Sequence, residues 1–185
     1  MRLFALLALG LFFCSAALAA GGECAKWSLR DITLGMGPAE AAGPLEGAGF
    51  RGRGEKEKNG LERRRWTGPG GEVVVVDAEE DVRRILRVLT DPQQKAPEAV
   101  EAQRARWGEP AFQKHRLADD RTGTSSEVTV WIDEACDVRA TLIARKEAGP
   151  RGLQLKYLAL ALERLSDIVQ DAGRLRTDID KIADF

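Results

Sequence analysis

Three segments in the second half of the chain alternate apolar and polar residues with a period of two. They are residues 127–133, 138–144 and 153–157, in which Val, Ile, Leu, Ala or Tyr occupies every second position and the intervening positions are mostly polar or charged. A period of two is typical of strands that bury one face, because successive side chains of a strand point to opposite sides. Short polar segments separate the three, so the pattern predicts an antiparallel sheet.

The first half of the chain predicts a helix followed by strands. Pro38 suits a first helical position and Glu40 suits the helix dipole, whereas Gly43-Pro44 is expected to end or kink this helix after little more than a turn. Residues 62–67 and the four valines of residues 73–76 predict strands.

Residues 81–90 are ambiguous, because Val82, Ile85, Leu86 and Leu89 have helical spacing. The regular succession of strands and turns in the surrounding chain favours a strand instead. After them, Ala96 to Trp107 predict a second helix and residues 112–117 a further strand.

These segments predict a body of residues 21–158 that contains two pseudo-repeats, at about 27–90 and 95–158. Apolar residues then recur at intervals of three and four, which predicts a long amphipathic helix over residues 159–185. The stripe comprises Leu158, Leu162, Leu165, Val169, Ala172, Leu175, Ile179 and Ile182. The predicted fold class is α+β, with tandem helix-then-antiparallel-sheet units and a long C-terminal helix.

Residues 1–20 have the order of a secretory signal peptide. A basic tip at Arg2 precedes an apolar run and then small residues that end at Ala20. The apolar run is too short for a membrane anchor, which needs about 20 residues. We therefore predict a cleaved leader, no later transmembrane segment, and a periplasmic or secreted protein. Lipidation at Cys14 is the weaker alternative, because Phe13 is larger than the residue that usually precedes a lipidated cysteine.

Two cysteines, Cys24 and Cys136, remain once the leader is removed. The compartment is oxidising, so one disulfide between them is the simplest prediction. A metal pair and a catalytic cysteine are weaker alternatives, because His115 is the only histidine and no further ligand cluster accompanies either cysteine.

Charge excludes one class of partner. The formal net charge is −1, and loss of Arg2 with the leader makes it −2. This balance gives no general attraction to nucleic acid.

Residues 51–65 nevertheless form a local basic segment with seven basic and three acidic side chains. Within and just after it, Arg63, Arg64, Arg65 and Trp66 are the candidate site for an anion or a partner. Strand alternation would place these arginines on opposite faces, so a solvated hairpin is the favoured interpretation.

No pattern of catalytic residues occurs in the chain. His115 has no base or nucleophile near it in sequence, Ser125-Ser126 lacks the setting of a nucleophile elbow, and Gly68-Pro69-Gly70-Gly71 lacks the Lys-Ser/Thr of a phosphate loop. We predict no enzyme activity, no cofactor and no metal.

One motif resembles a known family. Leu34-Gly35-Met36-x-x-Ala39-Glu40 is similar to the helix entry of the SmpA/OmlA outer-membrane-assembly lipoproteins, and Trp107-Gly108-Glu109-Pro110 resembles the Leu-Gly-x-Pro that often closes the helix. The resemblance implies a β-lactamase-inhibitor-protein-like fold of short helices on an antiparallel sheet. Because members of that fold mostly bind other proteins, it also implies a binding role.

The sequence therefore predicts a non-catalytic exported protein-binding module whose partner is another envelope protein. The partner would bind the sheet face or the end of the C-terminal helix, at Leu175, Ile179, Ile182 and Phe185. Two alternatives stay open, a periplasmic hydrolase with a dispersed active site and a self-associating structural envelope protein.

Overall fold

The computed structural model describes residues 22–56, 61–90, 92, 95–116, 123–150 and 152–168, without the side chains of residues 55, 56, 115 and 116. The elements in chain order are β1 (Ser28–Leu29), β2 (Ile32–Thr33), α1 (Pro38–Gly47), β3 (Arg51–Lys56), β4 (Glu62–Thr67), a short 3-10 helix (Pro69–Gly71), β5 (Val73–Ala78), β6 (Val82–Leu89), α2 (Ala96–Trp107), β7 (Phe112–Arg116), β8 (Thr124–Asp133), β9 (Val138–Gly149) and β10 (Gly152–Arg164).

One large antiparallel sheet dominates the structure. Its eight strands lie in the order β3-β4-β5-β6-β10-β9-β8-β7, and β1 pairs with β2 in a separate small ribbon. Each half of the large sheet is a run of four consecutive strands preceded in the chain by one helix. The two halves join where β6 pairs with β10, with Leu89 opposite Leu158 and Arg84 opposite Glu163.

The main hydrophobic core lies on one side of this sheet, which we call the helix face. Both helices and the β1–β2 ribbon pack there, through Ala41 and Leu45 of α1, Ala99 and Trp107 of α2, and Leu29 of β1. A smaller buried cluster lies on the opposite side, which we call the second face. Strand alternation produces both clusters, since β5 sends Val74 and Val76 to the helix face and Val73 and Val75 to the second face.

The predicted α+β fold class with a long C-terminal helix is wrong. The described chain is mainly β, and residues 158–164, where that helix was expected to begin, belong to strand β10. Strand β10 is central and buries both faces, with Leu158, Leu160 and Leu162 on one side and Ala159 and Ala161 on the other. A strand that is apolar on both sides loses its period-two signal, so the leucine spacing resembled a helix. Residues 169–185 lie outside the described residues.

The expected early end of α1 is also wrong, because the helix continues through Pro44 to Gly47. Ala41 and Leu45 are buried against the sheet, and the Phe50 amide donates to the Leu45 carbonyl at 2.9 Å. Tertiary packing thus outweighs the one backbone hydrogen bond that Pro44 removes.

Most other local predictions are confirmed. The return strand at residues 62–67 is β4, the valine run belongs to β5, and the ambiguous segment at residues 81–90 forms β6. The second predicted helix is α2, from Ala96 to Trp107.

Candidate binding site at the edge of the sheet

A disulfide fixes the start of the described chain to the second half of the sheet. Cys24 and Cys136 are bonded, as predicted, and their sequence separation is 112 residues. Asp133 lies beside this bond and accepts hydrogen bonds from the Cys136 amide at 3.1 Å and from the Trp27 indole at 2.8 Å. The disulfide is therefore part of a structural anchor.

Three tryptophans extend this anchor into the core. Trp27 stacks on Trp107 with ring centroids 5.1 Å apart, and Trp107 meets Trp131 edge-on at 5.5 Å. The Trp107 and Trp131 indoles donate to the carbonyls of Lys26 and Gly108, both at 2.9 Å. All three rings are buried, so this cluster holds the N-terminal segment, α2 and β8 together and leaves no aromatic surface for a ligand.

The outer strand β3 offers an open edge. It pairs with β4 on one side, and no described strand pairs with its other side. Arg51, Gly52, Arg53 and Gly54 are all exposed. An unpaired strand edge presents backbone donors and acceptors that another extended chain can use.

Two glycines shape the helix-face side of this edge. Gly52 lies opposite Trp66, and a Cβ atom on Gly52 would come within 2.7 Å of the Trp66 ring. Gly54 has no atom within 4 Å of its Cβ position. Gly52 is therefore required for close packing, whereas Gly54 leaves open space beside the strand.

A groove of about 300 Å³ occupies this space between the end of α1 and the two outer strands. Its lining residues are Glu46, Gly52, Arg53, Gly54, Glu62, Arg64 and Trp66. Arg64 already pairs with Glu62, with an Nε–Oε1 distance of 2.6 Å. Within the described residues, neither Arg51 nor Arg53 forms an ion pair with a carboxylate.

The arginines that the sequence nominated are divided between the two faces. Arg64 and Trp66 lie on the helix face, where Trp66 is buried beneath Gly52. Arg63 lies on the second face and forms two hydrogen bonds with Asp77, at 2.7 and 3.0 Å. Arg65 shares the second face, opposite Val75. The four residues therefore do not converge on one anion, and only Arg64 and Trp66 line the groove.

Arg63 instead begins a row of alternating charges across five strands. Arg63, Asp77, Arg84, Glu163 and Arg139 occupy consecutive cross-strand positions. Arg84 pairs with Asp77, and the Arg139 Nη2 atom lies 2.7 Å from the Glu163 Oε2 atom. We call this row the charge ladder. No sequence motif marks it, because its members lie far apart in the chain.

Burial opposes ionisation of Asp77 and is the largest single influence on its pKa. The hydrogen bonds and positive charges of Arg63 and Arg84 together outweigh burial and hold the pKa of the Asp77 carboxyl below its usual value. Glu72 behaves in the same way. Its burial is outweighed by Arg30 and Arg87, so the pKa of the Glu72 carboxyl is also lowered. Both carboxylates are thus ionised, paired and structural.

Metal-binding groups do not assemble in the part of the chain that the structure describes. No set of three or more His, Cys, Asp and Glu side chains there could hold a metal ion. The His115 side chain lies outside the described residues, as do Leu175, Ile179, Ile182 and Phe185. Among the described helices, none has the length and apolar character needed to cross a membrane.

Comparison with known proteins returned no match to a family model, to a curated protein or to a solved structure. The resemblance to SmpA/OmlA lipoproteins therefore stays a prediction from the sequence motif alone.

Proposed function

We propose that this protein is a non-catalytic, exported binding module that adds an extended, acidic segment of another envelope protein to the open edge of β3. The observation that carries the proposal is the exposed β3 backbone with Gly52 and Gly54 beside a groove. Main-chain hydrogen bonds would supply affinity, and the groove would accept alternate side chains of the incoming strand.

Charge supports an acidic partner. Residues 51–65 carry seven basic and three acidic side chains, although the chain as a whole has a net charge of −1. Arg51 and Arg53 are exposed at the edge itself. Opposite charges placed across paired strands stabilise the pairing, so an incoming strand with Asp or Glu opposite these arginines is favoured.

The other edge of the sheet fits this role less well. Strand β7 is also unpaired on its outer side among the described strands, and Phe112 is exposed there. However, β7 contains no glycine, whereas β3 carries Gly52 and Gly54 beside its groove. Strand β7 therefore provides a matched internal control.

Photo-cross-linking in the native envelope tests the proposal. A photoreactive residue replaces Gly54 on β3, Phe112 on β7, or exposed Glu134 in the β8–β9 turn. We expect a covalent adduct with one envelope protein from position 54 only. Adducts from position 112 alone would place the partner elsewhere, and the absence of adducts from all three would contradict a binding role at the edge.

Charge variants test the chemistry of the partner. The double variant Arg51→Glu/Arg53→Glu is expected to lose the adduct, whereas Arg51→Lys/Arg53→Lys is expected to keep it. Retention of the adduct by the glutamate variant would contradict the acidic partner. Turnover by the purified protein on a hydrolase panel would favour the alternative enzyme function instead.

A further inference from the structure

Gly52 and Trp66 show how a glycine is covered at this edge of the sheet. Trp66 on β4 lies opposite Gly52, and a Cβ atom on Gly52 would come within 2.7 Å of its ring. The ring thus fills the space that the missing side chain leaves, and it is only 6% exposed. Aromatic side chains on a neighbouring strand commonly cover edge glycines in this way.

Gly54 has no such cover among the described residues. Its partner on β4 is Arg64, and no atom lies within 4 Å of the position of a Gly54 Cβ atom. The groove beside it has a volume of about 300 Å³. One water molecule needs only about 10 to 15 Å³ of such space, so the groove has room for a large side chain. A strand added to the outer side of β3 would bring a side chain to this position.

The charges of β3 lie on the other side of the strand. Arg51 and Arg53 alternate with Gly52 and Gly54, and the glycines lie on the helix face with Trp66. Successive side chains of a strand point to opposite sides, so both arginines belong to the second face. An acidic side chain opposite either arginine would therefore lie on the second face, away from the groove.

The groove itself favours a neutral ring. Its lining includes the carboxylates of Glu46 and Glu62, and Glu62 already pairs with Arg64. A third carboxylate there would be repelled by these two. An aromatic ring avoids this repulsion, and it can lie on the planar Arg64 guanidinium, whose side chain is 37% exposed. The Trp66 ring, which also lines the groove, offers an apolar contact on the same side.

We propose that the segment recognised by β3 places an aromatic side chain in the groove opposite Gly54 and acidic side chains opposite Arg51 and Arg53. The inference rests on the proposed strand addition and specifies which residues the added strand carries. Directly opposite residues of paired strands share a face, so the ring and the acids fall on different sides. The segment therefore has two acids separated by one residue, with an aromatic residue next to the acid opposite Arg53.

Peptide binding to the processed protein tests this pattern by calorimetric titration. The three cores are Glu-Thr-Glu-Phe, Glu-Thr-Glu-Ala and Gln-Thr-Gln-Phe, each within the same neutral flanking sequence. Each core is also made in reversed order, because a strand can add in either direction. For one direction, we expect the first core to bind at least about fivefold more tightly than the other two, since it alone supplies both the ring and the charges. Equal affinities of the phenylalanine and alanine cores in both directions would overturn the inference.

A variant that fills the groove tests where the ring binds. Gly54→Leu places a side chain in the open space and leaves the backbone edge in place. It is expected to lower the affinity for the phenylalanine core to that for the alanine core. Gln113→Leu, at an exposed position of β7, is the matched control and should keep the wild-type preference. An undiminished preference for phenylalanine in Gly54→Leu would overturn the inference, whether or not the protein adds a strand.

Hydrogen exchange separates failure of this inference from failure of strand addition. If the phenylalanine and alanine cores bind equally and both protect the β3 amides, the edge adds a strand but the groove does not select a ring. If no peptide binds although position 54 forms an adduct with an envelope protein, the predicted pattern alone is wrong. If no peptide binds and no adduct forms, both proposals are wrong.

Discussion

Arg84 and Glu163 lie directly opposite each other where β6 pairs with β10, with 4.0 Å between the Arg84 Nη1 atom and the Glu163 Oε1 atom. This contact joins the two halves of the large sheet. Asp77 and Arg139 extend it to the neighbouring strands on either side. The junction between β6 and β10 therefore combines backbone pairing with the charge ladder on the second face.

The lowered pKa of Asp77 implies that the free energy of unfolding depends on pH. Its pKa is lower in the folded protein than in the unfolded chain, so its contribution is complete above the unfolded pKa of about 3.9 and is lost as the pH falls through the folded pKa. The free energy of unfolding in urea should therefore fall as the pH decreases from 5 to 3.

The Asp77→Asn variant should be less stable than wild type at pH 7 by about 3 kcal/mol, because buried Arg84 loses a charged partner. Its further loss on acidification should be smaller. Exposed Glu134 supplies the control, since Glu134→Gln should keep both the wild-type stability and its pH dependence. Equal acid sensitivity of Asp77→Asn and wild type would contradict this role of the charge ladder.

An added methyl group is expected to affect stability at Gly52 but not at Gly54. Gly52→Ala should reduce the free energy of unfolding by about 1 to 3 kcal/mol, because its Cβ would meet the Trp66 ring. Gly54→Ala has open space and should change stability by less than about 0.5 kcal/mol. Chemical unfolding of the two variants checks this, and similar stabilities would show that Trp66 does not pack beneath β3.

The disulfide predicts a large dependence on oxidation. Cys24→Ser/Cys136→Ser should lower the free energy of unfolding by about 3 to 5 kcal/mol, as expected when a loop of this length is no longer closed. Cys14→Ser in the precursor should yield a processed protein of unchanged mass and stability, because Cys14 is expected to leave with the leader. Two free thiols in protein purified from the envelope would contradict the pairing.

The tryptophan cluster predicts that aromatic truncation depends strongly on position. Trp107→Ala should lower the free energy of unfolding by about 3 to 5 kcal/mol and reduce the near-ultraviolet circular dichroism of the stacked indoles. Phe112→Ala removes an exposed ring and should change stability by less than about 0.5 kcal/mol. An equal loss of free energy of unfolding in the two variants would show that Trp107 is not at the centre of the cluster.

Local patterns in the sequence were sufficient to predict several strands and both helix starts. Val73 to Val76 and the alternation in β8 reflect side chains that point to opposite sides of a strand. The same rule failed for β10, because Leu160 and Ala161 are buried on different faces of a central strand. Periodicity alone does not separate such a strand from a helix.

The close packing at the β3 edge and the charge ladder depend on which residues lie opposite each other in neighbouring strands, and the sequence does not display this register. In the sequence, Arg63 is one of three consecutive arginines. In the structure its partner is Asp77, and the charge ladder continues through Arg84 to Glu163. In the sequence, Gly52 is one of the glycines that punctuate the basic segment at residues 51–65. Its close packing depends on Trp66, which lies opposite it on β4 and is distant enough in sequence that no local pattern links the two residues.

Backbone amide hydrogen exchange in β3 tests the binding account most directly. The processed protein is measured alone and in complex with the envelope protein captured from position 54. The account predicts that outward-facing amides of Arg51 to Gly54 become protected in the complex, while the amides of β7 keep their exchange rates. Unchanged exchange in β3, or protection confined to β7, would contradict strand addition at this edge.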